Sequence, residues 1–294
     1  MSNQLELRHL KYFLAVAEEL HYRKAAEKLF ISQPGLSRQI KQLEDEIGVT
    51  LFERHSRKVS LTKAGNYLNE EIRHNLKNLD NILAHAKHLN DGVVGSLRLG
   101  YVGSAMEEII PDLLLKFRKQ NPNALFSLKE MDNNLQIEGL LSQEIDVGFV
   151  RLERVPRDIK IQPLLKENFC LVLPRDHKID TSNFKDIKQL EQEPFILFNP
   201  QYSKSYHEKV MQIFDDAGFV PSVRHNTIHA GSIFKLVENN FGVSIVPKSL
   251  QTKSIKGVKF IELSKIPQKT TLSIVWNTTN RNPILKAFIN LLDN

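Results

Sequence analysis

The sequence predicts an α/β protein in three parts: a small, mostly helical head, one long helix, and a larger α/β unit of two lobes. Three observations carry that reading. The first 60 residues hold short amphipathic segments separated by turn residues, and residues 62–91 then keep one uninterrupted helical apolar repeat. From residue 92 onward, short β-rich runs alternate with helical segments, which is the rhythm of crossover units. A chain of 294 residues is long for one domain. The expected divisions are 1–61, 62–91 and 92–294, with a first lobe near 92–162 and 267–294 and a second near 163–266.

Composition narrows the class. Apolar side chains make up 41% and charged ones 25%, ordinary for a globular protein. No apolar stretch approaches the roughly 20 residues of a membrane helix. The start MSNQLELRHLKYF lacks the basic and apolar regions of a secretion signal, so a cytoplasmic protein is expected. Cys170, the sole cysteine, lies within NFCLVLP; it closes no internal disulfide and reads as a core residue. The net charge of +6 is not concentrated at one end, because residues 1–92 hold 14 basic and 12 acidic side chains. Where individual charges fall therefore matters more than their sum. No cofactor and no metal is expected.

The elements follow in order. LRHLKYFLAVAEEL repeats Leu10, Phe13, Leu14 and Ala17 at helical spacing, and RKAAEKLF forms a second short helix. Ser32 can cap a third helix, with Pro34 tolerated in its first turn. That helix turns Leu36, Ile40, Leu43 and Ile47 inward and stops at Gly48. LFERHSRKVSL reads as a two-stranded hairpin, and Thr62 opens the long helix. Its apolar residues Leu68, Ile72, Leu76, Leu79, Leu83 and Ala86 are spaced by fours and threes, as in a coiled-coil seam. A helix of about 28 residues extends roughly 42 Å, more than a 60-residue head covers, and is expected to pair with another chain. Beyond it, SLRLGYV, ALFSLKE, DVGFV, FCLVLP, PFILF, GVSIVP and TLSIVW read as strands of a mostly parallel sheet. AMEEIIPDLLLKFRKQ, NLQIEGLLSQ, SYHEKVMQIFDDAG and SIFKLVENN read as helices.

Residues 23–46 have the form of a helix-turn-helix. With the apolar stripe inward, Gln33, Ser37, Arg38 and Lys41 face outward near the start of the second helix. Arg38 can pair with guanine and Gln33 with adenine, while Ser37 or Lys41 holds phosphate. Glu44, Asp45 and Glu46 should point away from a duplex. Arg54, Arg57 and Lys58 flank the hairpin turn and could reach a minor groove as a wing. Taken alone, these basic groups would be an ordinary solvated surface. Their convergence with the helix-turn-helix pattern favours double-stranded DNA as the partner. Arg23, Ser32 and Pro34 complete the candidate contacts.

The run AAEKLFISQPGLSRQIKQLEDEIGVTLFERHSRKVSLTKAG resembles the N-terminal signature of the LysR-type transcriptional regulators, and residues 93–294 are similar in layout to that family's effector domain. The resemblance implies a winged helix-turn-helix, a linker helix, and a two-lobed effector-binding domain of periplasmic-binding-protein type. It also implies a homodimer or homotetramer on inverted-repeat DNA, a small-molecule effector, RNA polymerase as a possible further partner, and a last helix, PILKAFINLLDN, that returns to the first lobe. His21 and Arg23 stand where the family usually has Ser and Thr, so the second helix lacks its usual hydroxyl cap. Arg23 could compensate by contacting phosphate.

In the larger unit, GYVGSAMEE places Gly103 and Ser104 before a helix, where backbone amides and the Ser104 hydroxyl can hold a carboxylate. Ser104 as a plain N-cap is the alternative. With EMDN at 130–133 and GFVRL at 148–152, this segment resembles the branch of the family that senses muconate and related aromatic-degradation acids. By position, that resemblance implies that Ser104 binds the effector carboxylate and that Tyr206 closes over it. Arg151 either binds a second anion or forms an ion pair. Asp132 and Asn133 stand where the branch tends to have Thr, and an exposed Asp132 carboxylate would repel an acidic effector.

Two other classes fit poorly. An enzyme would need a catalytic signature, and the sequence has no GxSxG elbow, P-loop, HExxH or Cys-His metal spacing. A transport-type solute-binding protein would share the two lobes, but it requires export and leaves the head unexplained.

Overall fold

The structure is a computed structural model that describes residues 5–55, 58–90, 95–251 and 255–293. It divides into two compact units, Met1–Ala84 and His85–Asn294.

The first unit contains helices α1 (Leu7–Glu19), α2 (Tyr22–Lys28) and α3 (Gln33–Ile47), an antiparallel hairpin of β1 (Phe52–His55) and β2 (Lys58–Leu61), and the start of α4 (Lys63–Asn90). Its core gathers Phe13, Ala25, Leu36, Ile40, Leu43 and Phe52, with the Phe52 ring 5.5 Å from Phe13 and 5.9 Å from Tyr22. Ile47, expected inside, is exposed, because α3 ends one residue later where Gly48 takes φ 73°. The predicted cap is present: the Ser32 hydroxyl accepts from the Gly35 amide at 3.2 Å. The missing hydroxyl before α2 is replaced by an imidazole, since His21 Nδ1 accepts from the Lys24 amide at 3.4 Å. Thr62 caps α4 through Gly65, and a Cβ on Gly65 would lie 2.2 Å from the Leu51 carbonyl, so no side chain fits there. Leu68, Ile72 and Leu76 of α4 pack into the head, whereas Ile82, Leu83 and Ala86 are exposed. The apolar seam thus outruns the surface that covers it.

In the second unit, a five-stranded sheet has the order β4-β3-β5-β12-β6, formed by β3 (Gly95–Tyr101), β4 (Ala124–Glu130), β5 (Val147–Val150), β6 (Ile159–Glu167) and β12 (Thr270–Asn277). Helices α5 (Gly103–Glu108), α6 (Ile110–Gln120), α7 (Asn133–Leu141) and α10 (Pro283–Asn290) accompany it. The second lobe holds β7 (Phe169–Pro174), β8 (Pro194–Phe198), α8 (Lys204–Ala217), β9 (Ser222–Thr227), α9 (Ala230–Glu238), β10 (Ser244–Pro247) and β11 (Val258–Glu262). Each lobe has its own core. Leu97, Phe117, Phe149 and Phe288 anchor the first, and Phe169, Phe195 and Phe214 anchor the second. Phe288 lies on α10, so the last helix does return to the first lobe.

Three sequence expectations are corrected. The sheet is mixed rather than mostly parallel: β3 pairs in parallel with β4 and β5, but β12 runs antiparallel to β5 and β6. In the second lobe β7 is antiparallel to β10 and β11. A strand that comes back from the other lobe enters from the opposite end. The expected helix 105–120 is broken at Ile109, because Pro111 fits only the first turn of a new helix. Strands β6, β9 and β11 add to those read from the sequence. Pro163 masks β6, which tolerates it as an edge strand with a bulge beside it, where Leu164 is skipped between the partners of Leu272 and Ser273.

Cys170 is fully buried in β7, and burial pushes its thiol up to about 12. A thiol reagent at pH 8 is expected to leave the native chain unmodified and to react once in denaturant. Labelling of the native protein at the rate of free cysteine would contradict this burial.

Candidate functional site

The candidate contacts in the head converge on the N-terminal half of α3. Burying Leu36, Ile40 and Leu43 forces the opposite face outward, so Gln33, Pro34, Arg38 and Lys41 are exposed and Ser37 half-buried. Arg38, Gln33 and Lys41 have no side-chain partner among the described residues and are free to bond a ligand. The acidic end of α3 divides. Glu44 is turned into the head, where its Oε1 accepts from the amides of Leu51 at 2.7 Å and Phe52 at 3.1 Å. Glu46 accepts from Gln42. Asp45 stays exposed one turn beyond Lys41 on the same stripe, so only part of the acidic cluster is turned inward. Arg23 is exposed and paired with Glu27 one turn along α2 at 3.1 Å. Arg54 and Lys58 lie in β1 and β2, of which only the backbone is described at these positions, and Arg57 lies outside the described residues.

Phe30 escaped the sequence reading. It lies in the turn before Ser32 with φ 56°, a left-handed conformation, and is 96% exposed. The sequence reading runs the second helix through Phe30, but α2 ends at Lys28, and no local residue pattern signals the left-handed turn that exposes the ring.

The cleft is built on the C-terminal ends of β3, β4 and β5 and on the second-lobe segments that face them. Arg151, just beyond β5, is the centre. Its Nε donates to Ser104 Oγ at 3.0 Å, Nη1 to Thr270 Oγ1 at 3.1 Å, and Nη2 to Glu167 Oε1 at 2.6 Å and Ser249 Oγ at 3.1 Å. The Arg151 and Glu167 side chains are each 5% exposed. Ser249 also donates its amide and hydroxyl to Glu167. Of the two readings of Arg151, the structure realises the ion pair. Glu167 and Ser249 were missed because β6 was missed and because Ser249 becomes a partner only when the lobes meet.

Ser104 is not the N-cap of α5; Val102 holds that place, and the Ser104 hydroxyl serves Arg151. Gly103 does not offer a free amide, since it donates to the Tyr202 hydroxyl at 3.3 Å. That hydroxyl donates in turn to Glu130 Oε1 at 3.4 Å, which also meets His229 Nδ1 at 3.4 Å. Tyr202 stacks on Phe198, with ring centroids 6.2 Å apart, and burial pushes its phenol above the ordinary range. Tyr206 lines the cleft, and its hydroxyl donates into the lobe core, to the Ile245 carbonyl at 3.0 Å.

Asp132 and Asn133 are placed differently from the expectation. Asp132 caps α7, accepting from the Leu135 amide at 2.9 Å. Asn133 is buried and clasps Arg151 through its backbone while donating to Ser203 Oγ at 2.7 Å. Neither lines the cleft cavity, because both are committed to holding α7 against its surroundings. The Asp132 carboxylate still bears on the cleft, since its charge adds to the burial that raises the phenol of Tyr202, which lines it. The cavity has a volume of about 30 Å³, close to the space of one water, between Ser104, Arg151, Phe198, Tyr202, Ile228 and Leu250. The lobes are shut around it.

Among the described residues no helix is long and apolar enough to cross a membrane. Comparison with known proteins places these features. The family described as LysR substrate binding domain matches residues 90–294, and that described as bacterial regulatory helix-turn-helix protein, lysR family, matches residues 7–66. The HTH-type transcriptional regulator AlsR of Bacillus subtilis is 33% identical over 287 residues, covering 98% of this chain and 95% of that protein. The HTH-type transcriptional regulator BenM of Acinetobacter baylyi is 33% identical over 261 residues, covering 88% and 86%. A crystal structure of full-length CbnR complexed with its target DNA superposes with a TM-score of 0.73 at 29% identity, covering 98% of this chain and 99% of that one. With relatives that match it nearly from end to end, the chain belongs to the LysR family: it is a DNA-binding transcriptional regulator with an effector-binding domain, and not an enzyme.

Proposed function

We propose that this regulator reads an inverted-repeat operator with α3 and its wing, and that a small organic acid with an apolar or aromatic body, bound between the lobes, controls it. Arg38 and Gln33 read base edges, while Lys41, Ser37 and the wing residues Arg54, Arg57 and Lys58 hold the backbone. The exposed seam of α4 supports association into a homodimer or a dimer of dimers, acting in the cytoplasm with RNA polymerase as a further partner. Half-sites then lie about one helical turn, roughly 34 Å, or a multiple of it apart.

One observation carries the effector reading: the Ser104 hydroxyl and the Arg151 guanidinium meet at the edge of a pocket walled by Phe198, Tyr206, Ile228 and Leu250. Hydroxyl and guanidinium suit a carboxylate, and the walls suit an apolar body. Arg151 makes four hydrogen bonds within the protein, so the anion is held by hydrogen bonds beside a neutralised pair rather than by net positive charge. A cavity of about 30 Å³ admits no such molecule, so the lobes open first. Moving Tyr202 away from Gly103 and Glu130 frees the Gly103 amide for the carboxylate. Binding then selects a different spacing of the lobes and of the paired heads.

A thermal-shift screen of small organic acids identifies the effector class, because a ligand of the folded state raises its melting point. Ser104→Ala is expected to abolish most of that shift and the effector response while operator binding persists. The variant also leaves the Arg151 Nε–H unpaired, at a cost of about 1–3 kcal/mol, so its own melting curve is the reference. A full effector shift in Ser104→Ala would remove Ser104 from the site.

A further inference from the structure

We infer that Phe30, in the turn between α2 and α3, is a DNA-reading residue that recognises a thymine through its 5-methyl group. The inference rests on the placement of α3 in the major groove and adds a contact from outside that helix. Two features of Phe30 are unfavourable in the free protein. It takes φ 56°, where an L side chain is strained and where glycine or asparagine usually follows a helix end. Its ring is also 96% exposed, so no packing within the head offsets that strain. Local strain of this kind collects at sites of function, and covering the ring would return the cost of leaving it in water.

The backbone, not packing, sets the direction of the ring. The Phe30 amide donates to the Glu27 carbonyl at 3.2 Å and the Ile31 amide to the Ala26 carbonyl at 3.1 Å, which together fix the turn. Leu29 and Ile31 on either side pack against the core of the head, so Phe30 projects away from it. The chain then runs through Ser32, Gln33 and Pro34, all exposed, into the face of α3 that carries Arg38 and Lys41. A recognition helix contacts base edges with its N-terminal residues, which brings the turn just ahead of Gln33 to the groove as well. What the turn offers there is apolar. Lys28, the cation two residues earlier, is bound to Glu18 at 3.0 Å and Glu19 at 3.5 Å and is not free to take a phosphate. Among base edges in the major groove the thymine methyl is the apolar group, and a phenyl ring is one of the side chains that suits it.

The test uses the full chain and an operator duplex that the wild-type chain selects from random sequence. Each thymine of one half-site is replaced in turn by uracil, which removes only the methyl. Wild type is expected to lose about fourfold in affinity at a thymine beside the bases read by Gln33, the worth of one buried methyl, and Phe30→Gly to be indifferent to that same replacement. Phe30→Gly is itself expected to bind the unmodified operator at least about fourfold more weakly than wild type. Its melting point should not fall, because glycine adopts φ 56° without strain and the exposed ring leaves no cavity behind. The proposal is overturned if Phe30→Gly binds the operator as tightly as wild type, or if every uracil effect seen with wild type persists in the variant. Equal weakening on operator and scrambled duplexes, the mark of a sugar or phosphate contact, overturns it too. So does a loss of promoter activity with intact operator binding, which would make the ring a contact for protein. Failure of the α3 placement looks different: Arg38→Ala then weakens both duplexes alike, whereas failure of this proposal alone leaves the specificity loss of Arg38→Ala in place.

Discussion

Glu167→Ala is expected to destabilise the second unit by about 3–5 kcal/mol, the range for stranding one partner of a buried ion pair. The cost has two sources on this structure. Arg151 keeps its charge in a site where its side chain is only 5% exposed, and Ser249 loses the carboxylate that accepts both its amide and its hydroxyl. Against a native stability of about 5–15 kcal/mol, such a loss leaves the effector domain marginal. Trp276 lies in β12 of the same sheet as Glu167 and is the chain's only tryptophan, so denaturant unfolding followed by its fluorescence reads the change directly. The double variant Arg151→Met/Glu167→Leu removes both charges and is expected to regain much of the lost stability, as buried pairs replaced by apolar groups of similar size often do. It should nonetheless lose the effector response, because the guanidinium beside Ser104 is gone. A single Glu167→Ala variant that costs less than about 1 kcal/mol would mean that water reaches Arg151 and that the pair does not hold the lobes.

The same network shows where sequence reading stops. The head was legible nearly residue by residue because its determinants are local: the Ser32 cap, Pro34 in the first turn, the stripe Leu36, Ile40, Leu43, and Gly48 at the end all act within one helix. The imidazole cap at His21 was not legible, since imidazole is not among the usual capping groups and only the backbone geometry brings Nδ1 to Lys24. In the cleft, Ser104 and Arg151 could be placed by resemblance. Their partners could not, because Glu167 lies 16 residues on, at the end of the unrecognised strand β6, and Ser249 lies 98 residues on, in the other lobe. Asn133 illustrates the same limit. It sits beside the cleft in sequence terms, but its amide is consumed by Arg151 and Ser203, a fact of tertiary packing with no local signature.

Arg38→Ala is expected to cost about 1–3 kcal/mol of operator affinity, confined to the operator and felt mainly at one base pair of each half-site. The reason is the environment of its guanidinium, which has no partner among the described residues and stands one turn into the exposed face of α3, between Gln33 and Lys41. A phosphate-binding group at the same place would behave differently. Its removal would weaken operator and unrelated duplex alike and lower the slope of log affinity against log salt by about 0.9 for each phosphate no longer neutralised. Lys41→Ala is expected to show that second pattern, and it serves as the internal comparison. Gel retardation on operator and scrambled duplexes at several salt concentrations separates the two, since specificity is the ratio of the affinities and the slope counts phosphates. Because Glu44 is held inward by the Leu51 and Phe52 amides, neither variant should unmask a repulsive carboxylate from that position, whereas Lys41→Ala also leaves the exposed Asp45, one turn on, without its basic neighbour, so its loss includes that repulsion. Equal weakening on both duplexes in Arg38→Ala would move Arg38 to the backbone and leave base reading to Gln33 and the residues of the wing.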